Sequence, residues 1–260
     1  MSSDKIKIYK VKDSNEKHIT KKGDMIDLSM RLIITGKSFL SGKTNYLTNL
    51  LLQDDARLYK NNFKGDNIYV FSSTAHTDKK MQTIIEEKDI PAENVFEDYD
   101  EEIVDTLYEL RKEEYNQAIR DKETPPNVLY IFDDLSFGNN LKKKTAGAIE
   151  KLFCAGRHSL QSVIILQQKY TQSLTCAREN MSAGVFFKCS DKQLDLIAEE
   201  HNFLEGGKNQ FKKMFRKVTN EPHSALVINY TNPTDRMYQN QNFEIIGACG
   251  GVKGKDCKCK

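Results

Sequence analysis

Residues 31–45, Arg-Leu-Ile-Ile-Thr-Gly-Lys-Ser-Phe-Leu-Ser-Gly-Lys-Thr-Asn, constrain the fold more than any other stretch of this chain. The apolar run Leu32, Ile33 and Ile34 reads as a buried strand, and Leu47, Leu50 and Leu51 recur at helical spacing beyond Ser41-Gly42-Lys43-Thr44. Strand, loop and helix in that order are what a phosphate-binding P-loop requires. Unpaired backbone N–H groups at the helix start, together with the helix dipole, hold a polyphosphate without many charged side chains. In this reading Gly36, Ser41, Gly42, Lys43, Thr44 and Asn45 form the nucleotide site; Lys43 reaches the β- and γ-phosphates of ATP, and the Thr44 hydroxyl ligates Mg2+. Five residues separate Gly36 from Gly42, where the usual pattern has four. Either the loop holds one extra residue, or non-glycines take left-handed positions at some strain, the strict first-glycine position being Lys37.

The second constraint is Val128-Leu129-Tyr130-Ile131-Phe132-Asp133-Asp134. A buried parallel strand of this kind carries its two acids to the C-terminal edge of an open α/β sheet, where ligands bind. Asp133 would hold the Mg2+ shell, and Asp134 would orient or deprotonate the attacking water. Gln161-Ser162-Val163-Ile164-Ile165-Leu166-Gln167-Gln168 is another buried strand, ending in amides able to bond a γ-phosphate or a lytic water. Arg157-His158 precedes it and Arg178 follows it. Further strands are expected at 67–71 and 184–188, with closing strands at 224–230 and 243–246 around the Asn232-Pro233 turn.

With 260 residues the chain can bury one large core, so a single domain is expected over 25–246, with a lead-in or edge strand at 1–24 (Ile6, Ile8, Val11) and a flexible Gly/Lys/Cys tail at 247–260. The net charge of +2 hides segregation, because residues 86–114 hold thirteen acids against three bases. Those acids read as a solvated helical face, with Ile103, Leu107 and Leu110 at helical spacing. Lys142–Lys144 and the amphipathic stretch with Lys212, Lys213, Arg216 and Lys217 are basic; the latter face is read as solvated rather than as a DNA contact. Ser190 and Gln193 form a capping-box signature, and Gly206-Gly207 ends that helix. No apolar run reaches the length of a signal peptide or a membrane span, and six scattered cysteines read as reduced thiols, so an intracellular, soluble protein is expected. Cys249, Cys257 and Cys259 lack a CxxC pair and a fourth ligand for zinc.

Taken together, Gly-Lys-Thr, the Asp-Asp strand, the Gly156-Arg157-His158 segment leading into a strand that ends in glutamine, and Arg178-Glu179-Asn180 before Gly184-Val185-Phe186-Phe187 resemble the viral DNA-packaging ATPases of the FtsK-HerA superfamily, with the poxvirus, giant-virus and virophage type most similar. The resemblance covers roughly residues 25–230. It implies a RecA-like, additional-strand P-loop NTPase fold, a three-layer αβα arrangement with a mostly parallel central sheet. It also implies ATP hydrolysis, a homo-oligomeric ring around double-stranded DNA, capsid proteins as partners, no membrane, and residence in a viral factory or virion. By the same resemblance Gln168 matches the strand-end glutamine and Arg178, or else Arg157, supplies an arginine to a neighbour's ATP. No nuclease domain is evident, so DNA cutting is not expected. A HerA-like repair translocase is the nearest rival, and a nucleotide-binding assembly module without turnover is the rival from another class.

Overall fold

The computed structural model describes residues 20–38, 41–55, 57–134 and 147–255. Its strands are β1 (Arg31–Thr35), β2 (Ile68–Ser72), β3 (Val95–Phe96), β4 (Val128–Asp133), β5 (Gln161–Gln167), β6 (Ala183–Phe187), β7 (Ala225–Asn229) and β8 (Tyr238–Asn240). They form one sheet in the order β3-β2-β4-β5-β1-β6-β7-β8, parallel through β6 and antiparallel at β7 and β8. The runs at β1, β2, β4 and β5 carry few polar residues because helices cover both faces, as parallel sheets require. Between the strands run helices α1 (Lys43–Leu52), α2 (Lys79–Glu87), α3 (Glu101–Arg120), α4 (Gly147–Ala155), α5 (Thr175–Asn180), α6 (Asp191–His201) and α7 (Gly207–Val218).

Side-chain alternation divides the core in two. Leu32, Ile34, Leu129, Ile131, Ile164 and Leu166 pack with α1, α2 and the lead-in residues Met25, Ile26, Leu28 and Met30. Ile33, Tyr130, Phe132, Val163 and Ile165 pack against α3 to α7 on the opposite face. This is the expected three-layer αβα architecture, and β5 lies between β1 and β4 as the additional strand. The acidic α3 turns a different stripe inward from the expected one: Val104, Tyr108 and Tyr115 are buried, Ile103 and Leu107 are only partly covered and Leu110 is half exposed, while Asp100 caps the helix by accepting from the amides of Glu102 and Ile103. Such a cap contributes about 1 kcal/mol.

Several local expectations give way to competing interactions. Met25–Leu28 is a buried lead-in without a strand, held where Tyr59 Oη donates to the Ile26 carbonyl at 2.8 Å. The closing strand is Tyr238–Asn240, and residues 243–246 make only single bridges, Gln239 with Ile245 and Ile246 with Val252. The tail does not extend freely: Lys253 N donates to Ile245 O at 2.9 Å and Gly247 N to Gly251 O at 2.9 Å, folding 247–255 back as a hairpin. Val252 then packs on the core. The capping box is absent, because Gln193 Oε1 instead accepts from Tyr170 N at 2.6 Å. α6 ends at His201, and Gly206-Gly207 open α7 rather than closing α6. Ile6, Ile8, Val11, Lys142–Lys144, Cys257 and Cys259 lie outside the described residues.

Under the α6 end, burial builds a polar chain. Arg178 Nη1 meets Glu200 Oε1 at 3.1 Å, and Tyr170 Oη donates to Glu200 Oε2 at 2.8 Å. Tyr170 oxygen then accepts from His201 Nε2–H at 2.6 Å, leaving Nδ1 to accept from Tyr230 Oη at 2.6 Å. The ring is thereby held neutral: burial first, and the Arg178 charge second, push its pKa down to about 4. Between there and the ordinary value of about 6.5 the unfolded chain binds a proton that the folded chain refuses. The stability this gives is complete above about pH 6.5 and is lost as pH falls to about 4, on the order of 3 kcal/mol in all. Urea denaturation of wild type and His201→Gln at about pH 7.5 and 4.5 should show the wild type losing roughly 2–3 kcal/mol more than the variant. An equal acid loss in both would exclude a buried neutral His201.

Candidate nucleotide site

The P-loop leaves β1 at Gly36 and enters α1 at Gly42. A Cβ on Gly36 would lie 2.5 Å from Ser41 Cβ, so this glycine is needed for close approach. Ser41 turns back on the loop, its Oγ donating to the Lys37 carbonyl at 2.7 Å. Gly42 alone is left-handed among the described loop residues, with φ +81°. Lys37 is therefore not a strained stand-in for glycine; residues 39 and 40 of the loop lie outside the described residues.

A cavity of about 440 Å3 opens over this turn, lined by Ser41, Gly42, Lys43, Thr44 and, from the facing loops, Thr74, Asp78 and Asp134. The Lys43 ammonium is buried and donates to the Gly36 carbonyl at 2.9 Å. Burial lowers its pKa, and Asp134 and Asp133 act against that shift. Asp133 ends β4 on the α1 side of the sheet. Burial chiefly, then the charge of Asp134, raises its carboxyl to about 7, opposed by Lys43 and by a 3.5 Å hydrogen bond from Ser72 Oγ. Asp134 follows at φ +46°, outside the strand and half-buried.

The two glutamines at the β5 tip part company. Gln167 is buried on the face away from α1, donating to Thr35 Oγ1 at 3.0 Å and also to Ser173 Oγ. Gln168, one residue past the strand and exposed, donates to Asp134 Oδ1 at 3.3 Å. Asn45 is exposed on the first turn of α1 and lines a second cavity beside the P-loop.

The arginines are elsewhere. Arg157 precedes β5 and Arg178 precedes β6, which puts both at the N-terminal edge of the parallel strands, opposite the P-loop. Arg157 is exposed; Arg178 is bound to Glu200 and lies over the Tyr170 ring at 5.6 Å. On α7, Lys212 pairs with Asp195 and Arg216 with Asp191 at 2.8 Å, so half of that basic set is neutralised by α6. His76 is exposed and stands outside the lining of the phosphate cavity.

Sequence reasoning missed Thr74, Thr77, Asp78 and Lys80, which close the cavity opposite the P-loop. The signal was present: Asp78 stands before the apolar spacing of Met81, Ile84 and Ile85, and it caps α2 by accepting from Lys80 N at 2.8 Å. Among the described residues no cluster of three metal-ligating His, Cys, Asp or Glu occurs, and no helix is long and apolar enough to cross a membrane.

Comparison with known proteins bears on the fold and the family. Among solved structures, the genome packaging NTPase B204 of Sulfolobus turreted icosahedral virus 2 in complex with AMPPCP is similar over 80% of this chain and 95% of its own, at 13% identity and a TM-score of 0.52. Its complex with sulfate matches over 80% and 94%, at 15% identity and 0.51. The cytoplasmic domain of the Thermomonospora curvata Type VII secretion ATPase EccC matches over 77% of this chain and 24% of that one, at 17% identity and 0.50. At these identities the likeness is one of fold, that of the P-loop NTPases. No curated protein matches. The family described as Poxvirus A32 protein matches residues 16–238, a span that holds both P-loop glycines, both carboxylates and both glutamines, and the chain belongs to that family.

Proposed function

We propose that this chain is an ATPase that drives double-stranded DNA into a preformed viral capsid, working as a homo-oligomeric ring in the viral factory or on the virion. One observation carries the reading: Lys43, Thr44 and Asp134 line a single cavity, with Asp133 beside them on the α1 side of the sheet. The B204 structures hold AMPPCP, AMP and ATP-gammaS, which supports a nucleotide as the ligand here. The donor set also fits Mg2+, since a hydroxyl and a carboxylate are hard oxygen ligands. Asp133, buried and raised to about 7, is a carboxyl whose charged form a cation would restore. Thr44 and Asp133 would hold the ion, which when bound neutralises phosphate charge.

Within this proposal Lys43 leaves the Gly36 carbonyl for the β- and γ-phosphates. Asp134 orients or deprotonates the lytic water, and Gln168 fixes the Asp134 carboxylate from the neighbouring strand tip. Catalysis of this kind is positioning plus charge stabilisation. Asp134→Asn should bind ATP and hydrolyse it at least roughly a hundredfold more slowly, the usual scale for losing a general base. Hydrolysis is measured with and without duplex DNA; near-normal turnover by this variant would remove Asp134 from the role.

An arginine from the adjacent subunit completes the site. Arg157, being exposed, is the readier donor, whereas Arg178 must first leave Glu200. Lys43→Ala and Arg157→Ala should each be inactive alone and recover ATPase activity when mixed, because some interfaces then pair an intact P-loop with an intact arginine. The same mixture with Arg178→Ala separates the two candidates. Absence of recovery with both arginines, in oligomers shown to be mixed, would exclude a trans role for either.

DNA is gripped through its phosphates, so binding should ignore sequence and weaken steeply with salt. With Lys212 and Arg216 already paired to α6, reversing the charges of Lys213 and Lys217 should change the salt slope little; a drop of about two would place α7 on the DNA.

A further inference from the structure

On the far side of Ser41 and Gly42 from the phosphate cavity lies another, of about 460 Å3. Asn45, Asn49, Gln241 and Asn242 give it an amide-rich lining. Its one lining carboxylate, Asp55, is paired to Arg57 at 2.7 Å. A wall of neutral hydrogen-bonding groups suits an uncharged polar ligand rather than a further phosphate.

His223 stands between this cavity and the P-loop. A Cβ on Gly42 would lie 3.2 Å from His223 Nδ1, so the imidazole packs directly on the glycine that begins α1. The turn Glu221-Pro222-His223-Ser224 holds it there: Ser224 N donates to the Glu221 carbonyl at 3.2 Å and Ser224 Oγ donates to the same oxygen at 2.6 Å. Proline at the second position and φ +62° at the third are features of a type II turn, where glycine or asparagine is the ordinary third residue. A histidine there is strained, and glycine would relieve the strain.

We infer that this cavity is the base and ribose subsite for a purine nucleotide and that His223 is the residue on which the base stacks. The inference rests on the P-loop reading above. With the phosphates against Lys43 and Asp134, the rest of the nucleotide leaves across Ser41 and Gly42, the residues this cavity shares with the phosphate cavity. A neighbouring cavity of about 420 Å3, which His223 also lines, shares only Ser41 with the phosphate cavity and is lined by the charged Lys37, Lys188 and Glu221, a poorer match to a neutral base. The imidazole offers a π face, Gln241 and Asn242 offer amides to the base edge, and Asn45 stands nearest the phosphates, toward the ribose.

Calorimetric titration with ADP and with pyrophosphate separates the subsite from the P-loop. Wild type should bind ADP at least tenfold more tightly than pyrophosphate. His223→Gly should weaken ADP roughly tenfold, the order of a lost base–aromatic stack, and leave pyrophosphate within about twofold. Its thermal midpoint should be equal or higher. His223→Asn, which tolerates positive φ but has no ring, should behave alike. Parallel loss of ADP and pyrophosphate would make His223 a support of the P-loop and overturn the proposal, as would unchanged ADP affinity. Equal wild-type affinity for the two ligands would overturn the subsite and leave the P-loop intact. Binding of neither would overturn the nucleotide reading itself.

Discussion

The insertion of β5 between β1 and β4 sets the dimensions of everything at the C-terminal edge of the sheet. Hydrogen-bonded strands lie about 4.8 Å apart, so the tip of β1, which feeds the P-loop, and the tip of β4, which carries the carboxylates, are separated by about 10 Å. On the two sides of that gap the Lys43 ammonium turns to the Gly36 carbonyl and the Asp133 carboxyl to Ser72. The gap that keeps them apart is wide enough for a phosphate, and β5 places Gln168 at its floor, against Asp134.

The electrostatics follow from that separation. Burial disfavours the charged form of both groups, lowering the pKa of Lys43 and raising that of Asp133. An anionic phosphate beside Lys43 and a divalent cation beside Asp133 would each favour the charged form that burial disfavours. The α6 end resolves the same problem differently, by making the buried groups neutral or paired: His201 stays uncharged and Glu200 meets Arg178. In that cluster the charges are paired within the chain. The pairing is also why Arg178, attractive in sequence as an arginine near an apolar strand, is less available than the exposed Arg157.

The central sheet was legible because its strands are long apolar runs with polar tips, a pattern fixed by burial on both faces. That Gly36, Gly42, Lys43, Thr44, Asp133 and Asp134 gather at one edge of the sheet was legible for the same reason, since strand tips announce what the edge presents. What sequence could not show were outcomes decided by non-local partners. Gln193 could cap α6 or bond Tyr170 N, and only the packing of residues 168–173 against α6 selects the second. Glycines and lysines at 247–255 suggested a free tail, yet Gly250 fits closely over Lys217, where an added Cβ would lie 3.1 Å from Lys217 Cβ. The periodicity of the strand did not separate Gln167 from Gln168, and only the resemblance singled out Gln168; strand parity sends Gln167 into the core and Gln168 toward Asp134.

Backbone conformation points to the same edge of the sheet. Among the described residues six non-glycines have positive φ: Asp89, Lys122, Asp134, Leu160, His223 and Phe243. Asp134 borders the phosphate cavity, while His223 and Phe243 line the amide-rich one. Positive φ at a non-glycine costs on the order of 1 kcal/mol, and such residues persist where surrounding structure over-determines them. Around Gly42, which needs its own left-handed φ to start α1, three side chains are held at that cost, facing space the chain does not fill itself. Lys122 has the same backbone geometry but sits beyond α3 on the surface, just past the end of a helix. Strain that ends a helix is local, whereas the strain on the two sides of the Gly42 turn borders both cavities that meet there.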